Sequence, residues 1–192
     1  SNSITGVGFQ PDMVWLKSRS NGNYHNLQNA ISGANKVTYP NDTNAEATST
    51  TRITYFNSDG FTVGTESDVN GSGRTYVSWN WKANGAGSSN TDGDITSTVS
   101  ANTTAGFSIA KFTASGGTAN KTVGHGLNAV PKVVIVKHLS TTGGWQTYFE
   151  GIGTANQQLL TLNGTTAIAN YSNLWGAGMT NSVIGIGVNT AV

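Results

Sequence analysis

The sequence predicts an all-β protein built from two tandem β-sandwich units, of jelly-roll or concanavalin-like type, with no substantial helix. Three observations support this prediction. Short apolar or alternating segments are separated by turn residues roughly every ten positions. No stretch sustains a helical period. A pattern of residues near the N-terminus returns in the second half of the chain at a nearly constant spacing, which indicates an internal repeat.

The composition is that of a turn-rich β protein rather than of a disordered chain. The 192 residues carry a net charge of +1, and only 10% of them are charged, against about 25% in ordinary globular domains. Disordered chains have few aromatic residues, whereas this chain has five Trp, six Tyr and six Phe. Gly, Thr, Ser and Asn take the place of charge, which favours strands joined by tight turns.

The same numbers exclude several kinds of partner and site. A near-neutral chain lacks the basic field that nucleic acid or an anionic membrane requires. No apolar run approaches the ~18 residues that a membrane helix needs. With no cysteine, the chain has no disulfide framework and no thiolate metal site. We therefore expect no nucleic-acid partner and no membrane insertion.

The repeat is clearest around two prolines, Pro11 and Pro131, which are 120 residues apart. "FQPDMVWLKSRS" (9–20) and "AVPKVVIVKHLS" (129–140) share Pro, a charged residue, four apolar residues, Lys and Ser in one order. Further matches continue at offsets close to this spacing: "NYHNLQNAISGAN" (23–35) with "GWQTYFEGIGTAN" (144–156), "NDTNA" (41–45) with "NGTTA" (163–167), and "SDGFTVGTESDVN" (58–70) with "TNSVIGIGVNTAV" (180–192). A building block is often duplicated, and a catalytic site seldom is.

The phase of the repeat predicts the domain organisation. Copy one is expected over 1–85 and copy two over 106–192, with 86–105 as a linker or weak edge strand rich in Gly, Ser, Thr and Asn. Copy one lacks a counterpart of "GFSIAKFTASGG", and copy two lacks a counterpart of "GSGRTYVSWNWKA". Copy one is therefore predicted to lack its first strand, and copy two is predicted to lack its last strand. This phase suggests that the sequence is a section of a longer chain.

Individual strands are predicted from their two-residue period. "RTYVSWNWK" (74–82) alternates, and we expect its Trp79 and Trp81 side to face the core. "DMVWLK" (12–17) and "KVVIVK" (132–137) are continuous apolar runs, as expected for strands that are buried on both faces. "TRITYFNSDGFTVG" predicts a hairpin with Gly60 at the turn position that needs a positive φ.

The chain shows no pattern of catalytic residues. The histidines have no counterparts across the repeat and no neighbouring carboxylate or i+4 partner: His25, His125 and His138. No G-x-S-x-G occurs. The close carboxylate pairs, Glu66 with Asp68 and Asp92 with Asp94, lie in turn sequences, where such side chains bond their own backbone; calcium is the alternative use. We expect no enzymatic activity, no cofactor and no metal site.

Aromatic residues supply the candidate ligand contacts. Tyr24 and Trp145 occupy equivalent positions in the two copies, each just after a Ser/Gly loop, and Tyr148 follows in the same segment. Two interpretations are open for the Tyr24–Trp145 pair. It is either a core plug at the end of a sandwich or a platform on which a sugar ring stacks.

The order "GFSIAKFT … TVGHGLNAVPKVVIVKHLS … GWQTY … LLTLNGTTA … SVIGIG", with "DVNGSGRTYVSWNWKA" in copy one, resembles a tandem repeat domain of large structural proteins of tailed phages, particularly those of marine bacteria. Its most specific parts are "VGHGL-x-x-x-PK" and "SG-x-TYV". Copy one departs from the first, since "ITGVGFQPD" lacks the histidine that copy two has as His125. The resemblance implies a virion-associated fibre or tail module with lectin-like sandwiches, and it implies no catalytic residues.

We therefore expect a structural or adhesion module of a virion, such as a phage tail-fibre or surface protein that spaces or presents host-binding elements. The expected partners are other virion or fibre subunits, in a homo-oligomer, and a host surface glycan. The expected location is the virion or the extracellular space. The alternatives are a carbohydrate-binding module of a secreted protein and a self-assembling extracellular filament, in which a neighbour's strand completes each unit.

Overall fold

Strands account for nearly all regular structure in residues 1–188, the part of the chain that the computed structural model describes. The first half contains β1 Asn2–Thr5, β2 Met13–Ser18, β3 Asn26–Asn29, β4 Lys36–Val37, β5 Ala47–Thr48, β6 Ile53–Asn57, β7 Gly60–Val63, the short helix α1 Ser67–Asn70, and β8 Tyr76–Trp81. The second half contains β9 Ser88–Asn90, β10 Ser97–Asn102, β11 Phe107–Phe112, β12 Lys121–Gly124, β13 Val133–Lys137, β14 Trp145–Phe149, β15 Gln158–Thr161, β16 Ala169–Asn170 and β17 Val183–Ile186. The prediction of an all-β fold is confirmed.

The strands form small antiparallel sheets. In the first half, the orders are β3-β2-β8, β1-β7-β6 and β4-β5, and a bridge between Leu27 and Thr38 joins the first of these to β4. In the second half, the orders are β13-β14-β15-β16, β12-β17 and β11-β10-β9. Thus β2 is flanked on both sides, whereas β13 is an edge strand.

Strand pairing recurs at the spacing of the sequence repeat. Met13 lies opposite Asn29 in the β2–β3 hairpin, and Val133, 120 residues later, lies opposite Phe149 in the β13–β14 hairpin. Each partner is therefore displaced by the same number of residues, and the register is identical. That the chain folds as two separate sandwiches, with the boundaries given above, stays a prediction.

The next pair of strands keeps its register at a slightly larger spacing. Val37 pairs with Ala47 between β4 and β5, and Leu159 pairs with Ala169 between β15 and β16, both displaced by 122 residues. The spacing between equivalent residues is two residues larger here than for β2 and β13. An increase of two leaves each side chain on the same face of its sheet, whereas an increase of one would turn every side chain to the opposite face.

Among residues 1–188, two hydrophobic clusters hold the structure together, one in each half. The first contains Val14, Leu16, Ile53, Phe61, Val63 and Val69, with Phe56 and Tyr76 packed against it. The second contains Ile95, Val123, Val134, Tyr148, Leu174, Trp175, Ile184 and Ile186. Each fully buried side chain of this size contributes about 1.5–3 kcal/mol.

Equivalent positions in the two clusters use different chemistry. In the first half, the side-chain amide of Gln28 holds both backbone groups of Ile53, since Nε2 donates to the carbonyl at 2.9 Å and Oε1 accepts the N–H at 3.0 Å. Tyr148 and Trp175 lie 120 and 122 residues further along and pack edge to face, with 5.9 Å between ring centroids. Hydrogen bonds between a side-chain amide and the backbone in the first half thus correspond to an aromatic pair in the second half.

The segment 86–105, expected to be a linker or a weak edge strand, contains regular structure. Strands β9 and β10 lie within it, and β10 pairs with β11 over six residues. Ile95 and Val99 are buried, and Ile95 belongs to the second cluster. Small residues allow this close packing, because a Cβ on Gly87 would lie 2.6 Å from the carbonyl oxygen of Val99.

The faces of β2, β8 and β13 correct the prediction of their burial. β2 is buried on one face only, and so is β13, in which Val133 and Ile135 are 46% and 45% exposed. On β8 the alternation was predicted correctly, but the core face was assigned wrongly, because Tyr76 packs on the first cluster and Trp79 is 47% exposed. Trp79 pairs with Trp15, which lies on the side of β2 that faces away from the first cluster.

Gly60 has the positive φ that the sequence predicted, and it is the first residue of β7, directly after the turn at Ser58 and Asp59. Gly60 has φ +148°, and a Cβ there would lie 1.9 Å from the carbonyl oxygen of Ile4 on the neighbouring β1. The adjacent Asp59 accepts the N–H groups of Gly6 and Gly8 at 3.0 and 2.6 Å. These bonds lower the pKa of Asp59 and fix the loop between β1 and β2 to the hairpin.

Candidate ligand-binding surface

Trp145 lies at the junction between the two halves of the chain. Its indole N–H donates to the carbonyl oxygens of Tyr39 at 2.9 Å and Asp42 at 3.1 Å, and only 5% of the residue is exposed. Its backbone N–H donates to Oδ1 of Asn163 at 2.9 Å, which fixes the start of β14. Trp145 is therefore a plug in a buried junction, one of the two interpretations that the sequence left open.

Backbone hydrogen bonds surround this plug. The N–H of Glu46 donates to the carbonyl oxygen of Leu139 at 2.8 Å, and the N–H of Gly143 donates to Thr43 at the same distance. The ammonium group of Lys137 also reaches the Thr43 carbonyl, at 3.3 Å. Burial of Lys137 lowers its pKa, and the nearby Asp42 partly opposes that shift.

The other two predicted contact residues lie in different environments. Tyr148 is buried against Trp175 in the second cluster, so its ring has no free face for a ligand. Tyr24 is 46% exposed and packs on Tyr39, with 5.4 Å between ring centroids. A hydrogen bond with Asp42, and the charge of that carboxylate, raise the pKa of Tyr24. Tyr24 and Trp145 thus meet the same segment, 39–42, while Tyr148 lies apart from it.

The structure exposes a different set of aromatic side chains on the outward face of β2 and β8. Trp15 lies opposite Trp79, and their rings meet edge to face with centroids 5.9 Å apart. Trp81 follows on the same face of β8 and stacks on Phe107 of β11 at 6.0 Å. We call this group, with His25 beside Trp15, the aromatic face. Trp79 is its most open member.

A signal for this outward orientation was present in the sequence. Lys17 shares its side of β2 with Trp15, whereas Val14 and Leu16 alternate with them and are buried. A lysine is seldom buried without a partner, so it marks the solvent side of the strand. Because Trp15 pairs with Trp79 across the sheet, the same side of β8 must also face outward.

His25 orients the aromatic face. Nδ1 of His25 accepts the indole N–H of Trp15 at 3.0 Å, which requires that nitrogen to be unprotonated. Burial lowers the pKa of His25, and the charge of Lys17 lowers it further. Trp15 is thereby held in one orientation at neutral pH.

Three of the four carboxylates in the close pairs are held by an ion pair or hydrogen bonds within the protein. Asp68 forms an ion pair with Arg52 at 2.6 Å, and Asp94 accepts the N–H and hydroxyl of Thr122 at 3.0 and 2.9 Å. Asp92 accepts the side-chain amide of Asn90 at 2.8 Å. Within residues 1–188, no group of three or more metal-ligating side chains is found.

A groove with a volume of about 600 Å³ lies beside the edge strand β1. Its floor consists of core side chains, among them Leu16, Phe61 and Tyr76, and its rim includes Arg74. It is open to solvent and contains no histidine or carboxylate. Among the described residues, no helix is both long and apolar enough to cross a membrane.

Comparison with curated proteins and with solved structures found no match. A family described as a domain of unknown function, DUF7483, matches residues 1–192. The matched range includes both hydrophobic clusters, the junction at Trp145 and the aromatic face. The chain therefore belongs to the DUF7483 family.

Proposed function

We propose that this chain is a structural and adhesion module of a virion or other extracellular fibre, of the kind found in phage tails. The observation that carries the proposal is the buried junction at Trp145, which fastens the second half of the chain to the first. A module that spaces a binding tip has to transmit force without bending. A large aromatic plug with two hydrogen bonds to the other half supports that role.

Two further features support a role in assembly. The chain carries only 10% charged residues, so its surface offers little electrostatic repulsion to a neighbouring subunit. The sequence repeat and the recurring strand register give one building block used twice. The motifs quoted above resemble tandem domains of phage structural proteins, and this resemblance favours the virion over other fibres.

The rigidity of the junction can be tested by small-angle X-ray scattering. We expect Trp145→Ala to increase the radius of gyration and the apparent flexibility, because the cavity frees the two halves. Trp145→Phe, which keeps a ring but loses the N–H donor, should lie between the wild type and Trp145→Ala. Trp79→Ala, which removes an exposed tryptophan outside the junction, serves as the control. Unchanged scattering of Trp145→Ala would remove the support for a spacer.

The assembly itself can be tested by immunogold electron microscopy. An antibody against the chain should label a tail, fibre or surface projection of the native particle at regular positions. Labelling of a soluble enzyme complex instead would overturn the proposal.

A second candidate function is carbohydrate binding, favoured by the aromatic face. Trp79 is 47% exposed and its neighbour Trp15 is fixed by His25, so a rigid pair of indole rings faces solvent. Such amphipathic rings are the contacts that binding surfaces use most. A saccharide would suit this face, since its rings offer apolar surface and Lys17, on the same side of β2, offers a hydrogen-bond donor.

A glycan array tests this candidate. We expect binding by the wild-type chain that is lost in Trp79→Ala. Tyr55→Ala provides the matched control, because Tyr55 is 70% exposed but lies on β6, outside the aromatic face. Binding that survives Trp79→Ala, or the absence of any binding, would exclude this face as a saccharide site.

A further inference from the structure

Strand β13 has an open edge at the place where the equivalent strand β2 has a neighbour. Within residues 1–188, β13 pairs only with β14, whereas β2 pairs with both β3 and β8. We propose that the open edge of β13 is an acceptor site for an antiparallel strand from a partner, whose side chains follow the pattern of β8. This inference does not depend on the proposed function.

The backbone groups at this edge are free to pair. The N–H of Glu150 donates to the carbonyl oxygen of Lys132 at 2.8 Å, so the groups of Lys132 point toward β14. Backbone groups alternate along a strand, and those of Val133, Ile135 and Lys137 therefore point toward the open edge. In β2 the corresponding groups face β8. This follows from a hydrogen bond just beyond the two strands, in which the Arg19 N–H donates to the Thr75 carbonyl oxygen at 2.7 Å.

The side chains beside this edge are apolar and uncovered. Val133 and Ile135 are 46% and 45% exposed. Their counterparts 120 residues earlier, Met13 and Trp15, lie opposite the two tryptophans of β8 and are only partly exposed. Exposed apolar side chains on an unpaired edge favour the addition of a strand.

The ends of the edge define how long the added strand can be. Leu139, just after β13, has its carbonyl oxygen bonded to the N–H of Glu46, and the side chain of Lys137 is bonded to Thr43. At the other end, Pro131 offers no N–H. The open span is therefore that of β13 itself, Val133–Lys137.

The first half of the chain indicates the chemistry of the occupant. In β8, Trp79 and Trp81 lie opposite Trp15 and Met13, and the intervening Ser78 and Asn80 face the other side. A partner strand that repeats this pattern would place large aromatic side chains opposite Ile135 and Val133. Cross-strand contacts between aromatic and β-branched residues are among the stabilising ones in sheets.

The proposal can be tested with a synthetic peptide of residues 74–83 added to the full chain. We expect saturable binding by fluorescence anisotropy and slowed hydrogen exchange at the amides of Val133, Ile135 and Lys137. The amides of β2 should remain as protected as before, because its own β8 stays in place. Absence of protection at β13 would overturn the proposal.

Two N-methylated peptides make the test independent of the folding of any variant. In β8 the N–H of Trp79 faces β2, while the N–H of Ser78 faces away from it. Methylation of the amide at Trp79 should weaken binding about tenfold, whereas methylation at Ser78 should leave it nearly unchanged. Equal effects of the two modifications would contradict the predicted register.

A protein variant gives a second readout. Ile135→Lys should weaken peptide binding, and Ile152→Lys, at a residue 42% exposed outside β13, should not. The chain could instead self-associate and protect the same amides before peptide is added. That result would assign the edge to a second copy of the chain and would overturn the proposal of a partner strand with the pattern of β8.

Discussion

The indole N–H of Trp145 donates to the carbonyl oxygen of Tyr39 at 2.9 Å, a bond between residues 106 positions apart. Tyr39 also packs against Tyr24, so the residue that follows the Ser/Gly loop in each copy meets the same segment. Trp145, which the sequence suggested as a ligand contact, thus connects the two halves of the chain.

Trp145 should be among the most sensitive positions of the chain. Trp145→Ala removes a buried ring and leaves two carbonyl oxygens without their donor, so we expect a loss of about 3–5 kcal/mol in the free energy of unfolding. Urea denaturation measures this directly. Trp79→Ala, at an exposed tryptophan, should cost far less, and equal costs would contradict the burial of Trp145.

Arg52–Asp68 and Lys132–Glu150 are ion pairs with similar distances, and they should differ in their contribution to stability. Arg52 and Asp68 are 2.6 Å apart with side chains 14% and 15% exposed, whereas Lys132 and Glu150 are 2.5 Å apart and 68% and 47% exposed. Arg52→Ala should cost about 3 kcal/mol, because it leaves a partly buried carboxylate unpaired. Lys132→Ala should change stability by no more than about 0.5 kcal/mol. Thermal unfolding of both variants tests the contrast.

Gly60 should not tolerate a side chain. Gly60→Ala forces a Cβ against the Ile4 carbonyl, and we expect it to cost at least about 3 kcal/mol or to detach β1. Gly73→Ala is the matched control, since Gly73 also has a positive φ, +69°, but no atom lies within 4 Å of the added Cβ. Its cost should be about 1 kcal/mol. Similar costs for both would show that β1 is not packed on the hairpin.

Stability should fall between neutral and mildly acidic pH. Burial lowers the pKa of both His25 and His125, and Nδ1 of His125 accepts the N–H of Leu127 at 3.1 Å while Nε2 donates to the Thr180 carbonyl at 3.2 Å. A lowered pKa in the folded state means that the folded chain takes up the proton less readily than the unfolded chain. The stability is therefore complete above about pH 6.5 and is lost as the pH falls through the folded pKa values.

Variants separate this effect from that of the carboxylates. His125→Gln should reduce the fall in stability below about pH 6.5, because it removes a group whose pKa is lowered in the folded state. Asp59 also has a lowered pKa, but its contribution is lost only below about pH 4. If His125→Gln has the same pH dependence of stability as the wild type, His125 is not the source of that dependence.

The sequence predicted what depends on period and spacing. The strands around Pro11 and Pro131, the turn at Gly60 and the all-β class follow from alternation, β-propensity and turn residues, which are local properties. The spacing of 120 residues also returned in the pairing of β2 and β13.

Burial was harder to predict, because it depends on what packs against each face. Trp79 and Trp81 share one side of β8, which suggested burial there, yet the first cluster lies on the other side, where Tyr76 packs against it. Ile95 and Val99 lie among polar residues that suggested a linker or a weak edge strand. Val99 pairs with Ser88 in a sheet and Ile95 forms a single bridge with Val123, so their burial depends on pairing that the local sequence does not show. The role of Trp145 depends on carbonyl groups more than 100 positions away.

The contrast between Gln28–Ile53 and Tyr148–Trp175 limits how the two hairpins can be exchanged. Grafting β2–β3 into the second half would set an amide beside an indole and leave its hydrogen bonds unmade, while the reverse graft would deprive Ile53 of its partner. Chimeras of the two copies should therefore fold only when both members of a pair are moved together, so the duplicated elements are no longer interchangeable parts.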